Sequence, residues 1–424
     1  MKYQKIGLSN VSHISLVIAA ISFGAFSAGW NFTYKSHFKG LGRCDDIAIA
    51  DFNGDKRNDV VYSTGHVFLN KGGNPPSWEH VSGVFDESMG MWVGDLDNDG
   101  DMDIFAPKKD GTGYFVENAD GKGKSWNKHA IFNMPEKLAE ETRCVDINKD
   151  GKDDLAVMLR SGGPLYLLIQ PSNAKSSWPS YKVGTASGDE GAVDFGDIDN
   201  DGDIDLFGQG YWYENDGNPA KADWKRHAHG GKAHKQRLGD INKDGKLDII
   251  DGGRILFGPD FSNSKSMGPV PSGIYLHGLM PVDFDTDGDL DVMVGSFPWS
   301  GNSAPPVTIF ENADGKGGSW KRHALSTGGA GHNAWCADLN GDKRPDIVGK
   351  HFDKNQSSFD VWYNTLTTAV SVAERRLKPV QKSALPYKYV TLNGRIASVY
   401  TYIRIAAPLI KVGHSEKAIL KQSF

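Results

Sequence analysis

The chain has 424 residues, with 53 Asp and Glu against 47 Lys and Arg, for a formal net charge of −6. This acidic balance argues against nucleic acid as a partner, which calls for a basic face. Three cysteines, Cys44, Cys144 and Cys336, exclude a disulfide scaffold, while 51 glycines point to many tight turns.

The N-terminus carries Lys2 and Lys5, an apolar stretch from about Val17 to Phe26, and small residues at Ala25, Ser27, Ala28 and Gly29. This pattern predicts a secretory signal peptide over residues 1–28. The apolar stretch is short for a bilayer span, so an extracellular protein with no stable membrane insertion is expected. Sequons stand at Asn31-Phe-Thr33 and Asn355-Gln-Ser357.

Seven acidic nine-residue runs follow, opening at Asp51, Asp95, Asp146, Asp197, Asp240, Asp283 and Asp338, with 43 to 55 residues between starts. The clearest copies place carboxylates at positions 1, 3, 5 and 9 and glycine at position 6, a spacing that wraps oxygen ligands around a hard cation such as Ca2+. The predicted ligands are Asp95, Asp97, Asp99 and Asp103 in the second loop, and Asp146, Asn148, Asp150 and Asp154 in the third. They continue as Asp197, Asp199, Asp201 and Asp205 in the fourth, Asp240, Asn242, Asp244 and Asp248 in the fifth, and Asp283, Asp285, Asp287 and Asp291 in the sixth. A helix-flanked calcium hand would continue to a glutamate at position 12. Here short apolar segments such as Asp103-Ile-Phe-Ala follow instead, so each loop joins two strands.

Each repeat reads as four strands: one before the loop, one after it, a third such as Tyr211-Trp-Tyr-Glu-Asn215, and an outer one led by Trp78, Trp126, Trp224 or Trp320. Short strands at this period predict an all-β, seven-bladed β-propeller with four-stranded blades. The seventh repeat stops at Asn364, and residues Trp30 to His37 read as its missing outer strand, closing the ring between the chain's ends. The propeller is expected over residues 30–365. Residues 366–424 lack the repeat and carry ten Lys and Arg against two Glu, a basic tail whose structure the pattern leaves open. Cys144 and Cys336 fall in distant repeats, so no bond is expected between them.

The Asp-x-Asp/Asn-x-Asp-Gly loops between apolar strands resemble the FG-GAP/VCBS repeat family, which includes the integrin alpha-subunit propellers and many secreted microbial proteins. The resemblance spans about residues 40–364 and implies a calcium-binding seven-bladed propeller. It says little about activity, since adhesion proteins, lectins and sugar-modifying enzymes share this build. Two copies depart from the pattern: Asp51-Phe-Asn53-Gly54-Asp55-Lys56 and Asp338-Leu-Asn340-Gly341-Asp342-Lys343 carry glycine at position 4 and lysine at position 6, which puts their calcium in question.

Six residues before each loop stand Asp45, Met89, Glu140, Gly191, His234, His277 and His332. Equal offset in a repeat means equal height, so His234, His277 and His332 should meet on the face opposite the metal loops, with Asp45 beside them. Returning strands deliver Tyr211, Arg254, Trp299, Lys350 and His351 to that face. Arg143, Asp194 and Arg237, three residues before their loops, should line the channel mouth.

This mixture of imidazole, cation and aromatic ring suits an oxygen-rich, acidic sugar, and the expected function is binding of a carbohydrate or an extracellular protein. The alternative is a polysaccharide lyase or sugar dehydratase. There Arg254 or Arg237 would neutralise a carboxylate, a histidine of the His234/His277/His332 cluster would act as base and Tyr211 as acid. The three histidines also offer a set for an additional divalent metal.

Overall fold

The structure, a computed structural model, describes residues 30–43, 45–135, 138–160, 162–186, 192–269, 275–297, 307–325, 331–350 and 358–366. The expected signal peptide, the basic tail, Cys44, Trp299, His351 and the second sequon lie outside the described residues. Among those described, no helix is long and apolar enough to cross a membrane.

The strands form seven antiparallel four-stranded sheets. Their innermost strands are Ile47–Ala50, Trp92–Gly94, Ala139–Val145, Val193–Gly196, Gln236–Gly239, Tyr275–Val282 and Asn333–Ala337. Each packs against the innermost strand of the next blade, and the seventh packs against the first, so the sheets form a ring around a central channel. This is a seven-bladed β-propeller. Inner strands are covered on both faces by neighbouring blades and are mostly apolar: Ile47–Ala50 and Asp59–Tyr62 are buried at every position. Outer strands such as Lys225–Ala228 meet solvent and are polar.

The outermost strand of the seventh blade comes from the other end of the chain. Phe32–Lys39 runs antiparallel to Ser358–Asn364, pairing Phe32 with Asn364 and Lys35 with Val361. Trp30 stacks on His323 of the sixth blade at 4.5 Å and donates its indole N–H to Glu311 Oε2 at 3.0 Å. The other tryptophans also bridge blades. Trp126 of the second meets Phe52 of the first edge-on at 5.7 Å, and Trp224 of the fourth lies in a cluster with Val145 and Ile147 of the third.

A second tie recurs at the ends of the third strands. The side-chain amides of Asn70, Asn118, Asn312 and Asn364 donate to Leu339 O, Phe52 O, Ile241 O and Phe284 O at 2.7, 2.8, 3.0 and 2.9 Å. Each acceptor is position 2 of the preceding blade's loop, so the same residue that ends a strand also clasps its neighbour.

Candidate functional site

The seven loops share one backbone course, with left-handed residues at positions 4 and 6. In five loops position 4 is Asn98, Lys149, Asn200, Lys243 or Thr286, with φ from 59° to 64°, and position 6 is glycine. In the two departing loops the glycine moves to position 4, and Lys56 and Lys343 adopt φ of 67° and 68° at position 6. The sequence departure therefore exchanges which residue carries the strain and leaves the turn intact.

Position 9 has a task besides the one expected of it. Asp205 accepts the N–H of Ile198 on Oδ2 and that of Asn215 on Oδ1, both at 2.9 Å, and Asp291 does the same for Phe284 and Asn312 at 3.0 and 2.9 Å. Asp103 and Asp248 repeat the pattern, as do Asp59 and Asp346 in the departing loops. This carboxylate staples the loop to the third strand of its blade and retains further lone pairs for a metal.

The fit to a hard cation is best in the second, fourth and sixth loops. Asp95, Asp97 and Asp99 each offer an oxygen within 4.8 Å of the others, as do Asp197, Asp199 and Asp205, and Asp283, Asp285 and Asp291. Two oxygens coordinated to one Ca2+ at about 2.4 Å lie no farther apart than about 4.8 Å. Asp97 Oδ1, Asp101 Oδ1, Asp197 Oδ1 and Asp283 Oδ1 are buried with no hydrogen-bond donor. Burial, then the neighbouring carboxylates, pushes Asp101 and Asp289 up to about 7 and Asp285 to about 6, the mark of crowded negative charge that a dication would relieve. The third and fifth loops have Asn148 and Asn242 at position 3. Asp146 Oδ1 and Asn148 Oδ1 both accept the N–H of Asp150, and Asp240 Oδ1 and Asn242 Oδ1 that of Asp244. Lys149 reaches Asp203 of the fourth loop at 2.5 Å, and Lys243 approaches Asp289 of the sixth at 3.8 Å, so these loops also neutralise their neighbours.

On the opposite face the three histidines meet. His277 lies between the other two, 4.9 Å from His234 and 4.4 Å from His332 between ring centroids, the latter pair stacked at 27°. His332 is 4% exposed. Burial, then His277, Lys350, Lys235 and Arg43, holds its imidazole well below the usual histidine value, so it is neutral at pH 7. Rings stacked face to face direct their in-plane lone pairs side by side. Among the described residues the imidazoles form no metal-binding group of the kind seen in the loops.

Below the histidines a pocket is lined by Asp46, Trp92, Glu141, Arg143, Lys235, Arg237, His277, Asn333 and Trp335. Its empty space is about 380 Å³ counted to the open mouth, and the centre of a water molecule has about 20 Å³ in which to move, room for an ordered water. Glu141 is the hub: it pairs with Arg143, with Arg237 Nη2 at 2.5 Å and with Lys235 Nζ at 3.5 Å. Burial alone would raise its carboxyl, yet the three cations outweigh burial and hold it well below the usual range. Arg143 lies 4.1 Å over the Trp92 ring and 5.1 Å over Trp335. Asp194 is raised by burial, against the pull of Arg237 and Arg143, and accepts the N–H of Leu238 at 2.9 Å. Asp46 is enclosed by many atoms though part of its surface reaches the channel; burial, then Asp45, pushes it to about 7.

The remaining expected residues divide. Lys350 is fully buried and acts on His332 electrostatically, and Asp45 pairs with Arg43 at 3.3 Å. Tyr211 instead lies under Arg226 at 4.8 Å, and Arg254 is held by Asp251 at 2.8 Å. Neither lines the pocket with the histidines.

The FG-GAP-like repeat family matches at residues 51–106, 146–208 and 270–349, each match taking in two of the loops described above. The chain is an FG-GAP repeat β-propeller.

Among solved structures, this FG-GAP propeller is similar to BBS1N, crystallised in complex with ARL6DN and soaked with mercury. The identity is 12% and the TM-score 0.50, with 79% of this chain and 98% of that one covered. It is also similar to the V. cholerae biofilm matrix protein Bap1 at 12% identity, with 76% and 77% covered and a TM-score of 0.36. For rhamnogalacturonan lyase YesW the identity is 14%, with 80% and 73% covered and a TM-score of 0.41. No curated protein matches the sequence. The pocket residues that sequence reasoning missed are Glu141 and Lys235, together with Trp92 and Trp335. Glu141 stands two residues before Arg143 on the same strand, and Lys235 two before Arg237, just ahead of its strand; alternation along a strand puts Glu141 and Arg143 on one face.

Proposed function

We propose that this FG-GAP repeat propeller is an exported, calcium-binding protein that holds an acidic, oxygen-rich glycan at the channel mouth, on the face away from its metal loops. The convergence of His234, His277 and His332 above Arg143, Arg237 and Trp335 carries this reading. Imidazoles and the Asn333 amide exchange hydrogen bonds with hydroxyls, the cations attract a carboxylate, and the indoles offer apolar cover for a sugar face. Little of the pocket is open to water below its mouth, so the ligand rests on the mouth and inserts a substituent.

Binding is favoured over catalysis by the placement of two residues. A lyase or dehydratase would need acid, base and carboxylate clamp together; Arg237, one of the two expected clamps, lines the pocket with His277, but the other, Arg254, is held by Asp251, and the expected acid, Tyr211, lies under Arg226. The test is a glycan array of neutral and uronic polysaccharides probed with calcium-loaded wild type and with the His234→Ala/His277→Ala double variant. Retention of uronic glycans by the wild type, weakened about tenfold in the variant, is the expected result, a loss of about 1.4 kcal/mol. Equal retention by both proteins, or none by either, would remove the glycan reading; unsaturated or dehydrated sugars released by the wild type alone would make the protein an enzyme.

A further inference from the structure

We infer that the loops of the first and seventh blades carry an arginine in place of the cation, so that the seam of the ring is assembled without metal. At position 7, where the second, fourth and sixth loops have Asp101, Asp203 and Asp289, these two have Arg57 and Arg344. Arg57 Nη2 meets Asp55 Oδ2 at 2.5 Å, and Arg344 Nη2 meets Asp342 Oδ2 at 2.6 Å. In each case the partner is the position 5 carboxylate. The guanidinium is also fixed from behind, since Arg57 Nε donates to Asn70 O at 2.9 Å and Arg344 Nε to Asn364 O at 3.2 Å, at the ends of their own third strands.

Two independent observations agree with this assignment. Each of these loops has three carboxylates with one lysine and one arginine, against five carboxylates and no Lys or Arg in the second, fourth and sixth; the fifth matches them in charge, with three carboxylates and two lysines, but has Lys246 and no arginine at position 7. Buried carboxylate oxygens without a donor occur in the second, fourth and sixth loops and at Asp154 of the third, and none among the described residues of the first, fifth or seventh. The loop carboxylates there turn inward: Asp51 accepts the N–H groups of Asn53, Asp55 and Lys56. A dication entering either loop would meet a fixed positive charge on one of the ligands it needs.

The two loops are neighbours across the seam where the ends of the propeller meet. Asn58 Nδ2 donates to Asp338 O at 2.8 Å and Asn70 Nδ2 to Leu339 O at 2.7 Å, joining them directly. Hydrogen exchange of the full chain, read by mass spectrometry in calcium and in EGTA, tests the inference. Segments 95–103, 197–205 and 283–291 should exchange about tenfold or more faster on chelation while 51–59 and 338–346 keep their protection. Equal acceleration in the two seam loops would overturn it. Should chelation unfold the whole ring, the calcium content of the saturated, desalted wild type is compared with that of the Asp55→Asn/Asp342→Asn double variant: equal content sustains the inference, and loss of one or two ions from the variant defeats it.

Discussion

Glu141 sits among Arg143, Arg237 and Lys235, the last two supplied by the fifth blade and Arg143 by its own. A buried ion pair adds little over an apolar replacement, but removing one partner strands the others. Glu141→Gln leaves three buried cations facing a neutral amide, and a loss of about 3–5 kcal/mol is expected at pH 7, read from the urea midpoint. The sign with pH follows from the direction of the shift. The folded-state carboxyl is held low, so its contribution is complete above the ordinary carboxylate value of 4.5 and fades as pH falls through the folded value. The gap between wild type and variant should therefore stay constant from pH 8 to about 5 and narrow only in strong acid. A gap that closes between pH 7 and 5 would mean that another group carries the effect.

At the scale of the loop and its strands, the position 9 aspartate separates two roles that its place in the motif merges. Asp205 spans Ile198 N and Asn215 N, and Asp346, in a loop whose position 5 carboxylate already has its arginine, spans Leu339 N and Asn364 N at 3.0 and 2.8 Å. Asparagine keeps the size but turns an NH2 toward a backbone donor. Asp346→Asn should cost about 1–3 kcal/mol in calcium and in EGTA alike. Asp205→Asn should cost that amount in EGTA and more in calcium, where a ligand is weakened as well. Identical calcium dependence in the two variants, measured by urea unfolding, would show that the staple and the metal site are not separable in this way.

Across the whole molecule, the ring depends on contacts between segments far apart in the chain. Phe32–Lys39 covers Ser358–Asn364, a strand buried at all of its positions, and Trp30 ties the closing strand to the sixth blade through Glu311. Removal of residues 30–39 would expose an apolar strand edge, which templates pairing with other chains. Oligomers in light scattering and a broadened thermal transition are expected from that deletion. A monomer that unfolds in one sharp step would show that closure comes instead from the inner strands.

The repeat, the blade number and the aspartate-rich loops were legible in the chain because each depends on residues within about ten positions of one another, where spacing and turn geometry suffice. Equal offsets also placed the three histidines at one height, and they do meet. What a repeat register cannot convey is which side chains touch across the channel, since that is decided when the ring closes. Glu141 finds Arg237 from 96 residues away, Tyr211 lies under Arg226, and His277 stacks on His332. The arginines of the two seam loops belong to the same class: Arg57 and Arg344 are plain in the sequence, but only the folded turn brings each guanidinium onto the carboxylate that a cation would otherwise hold.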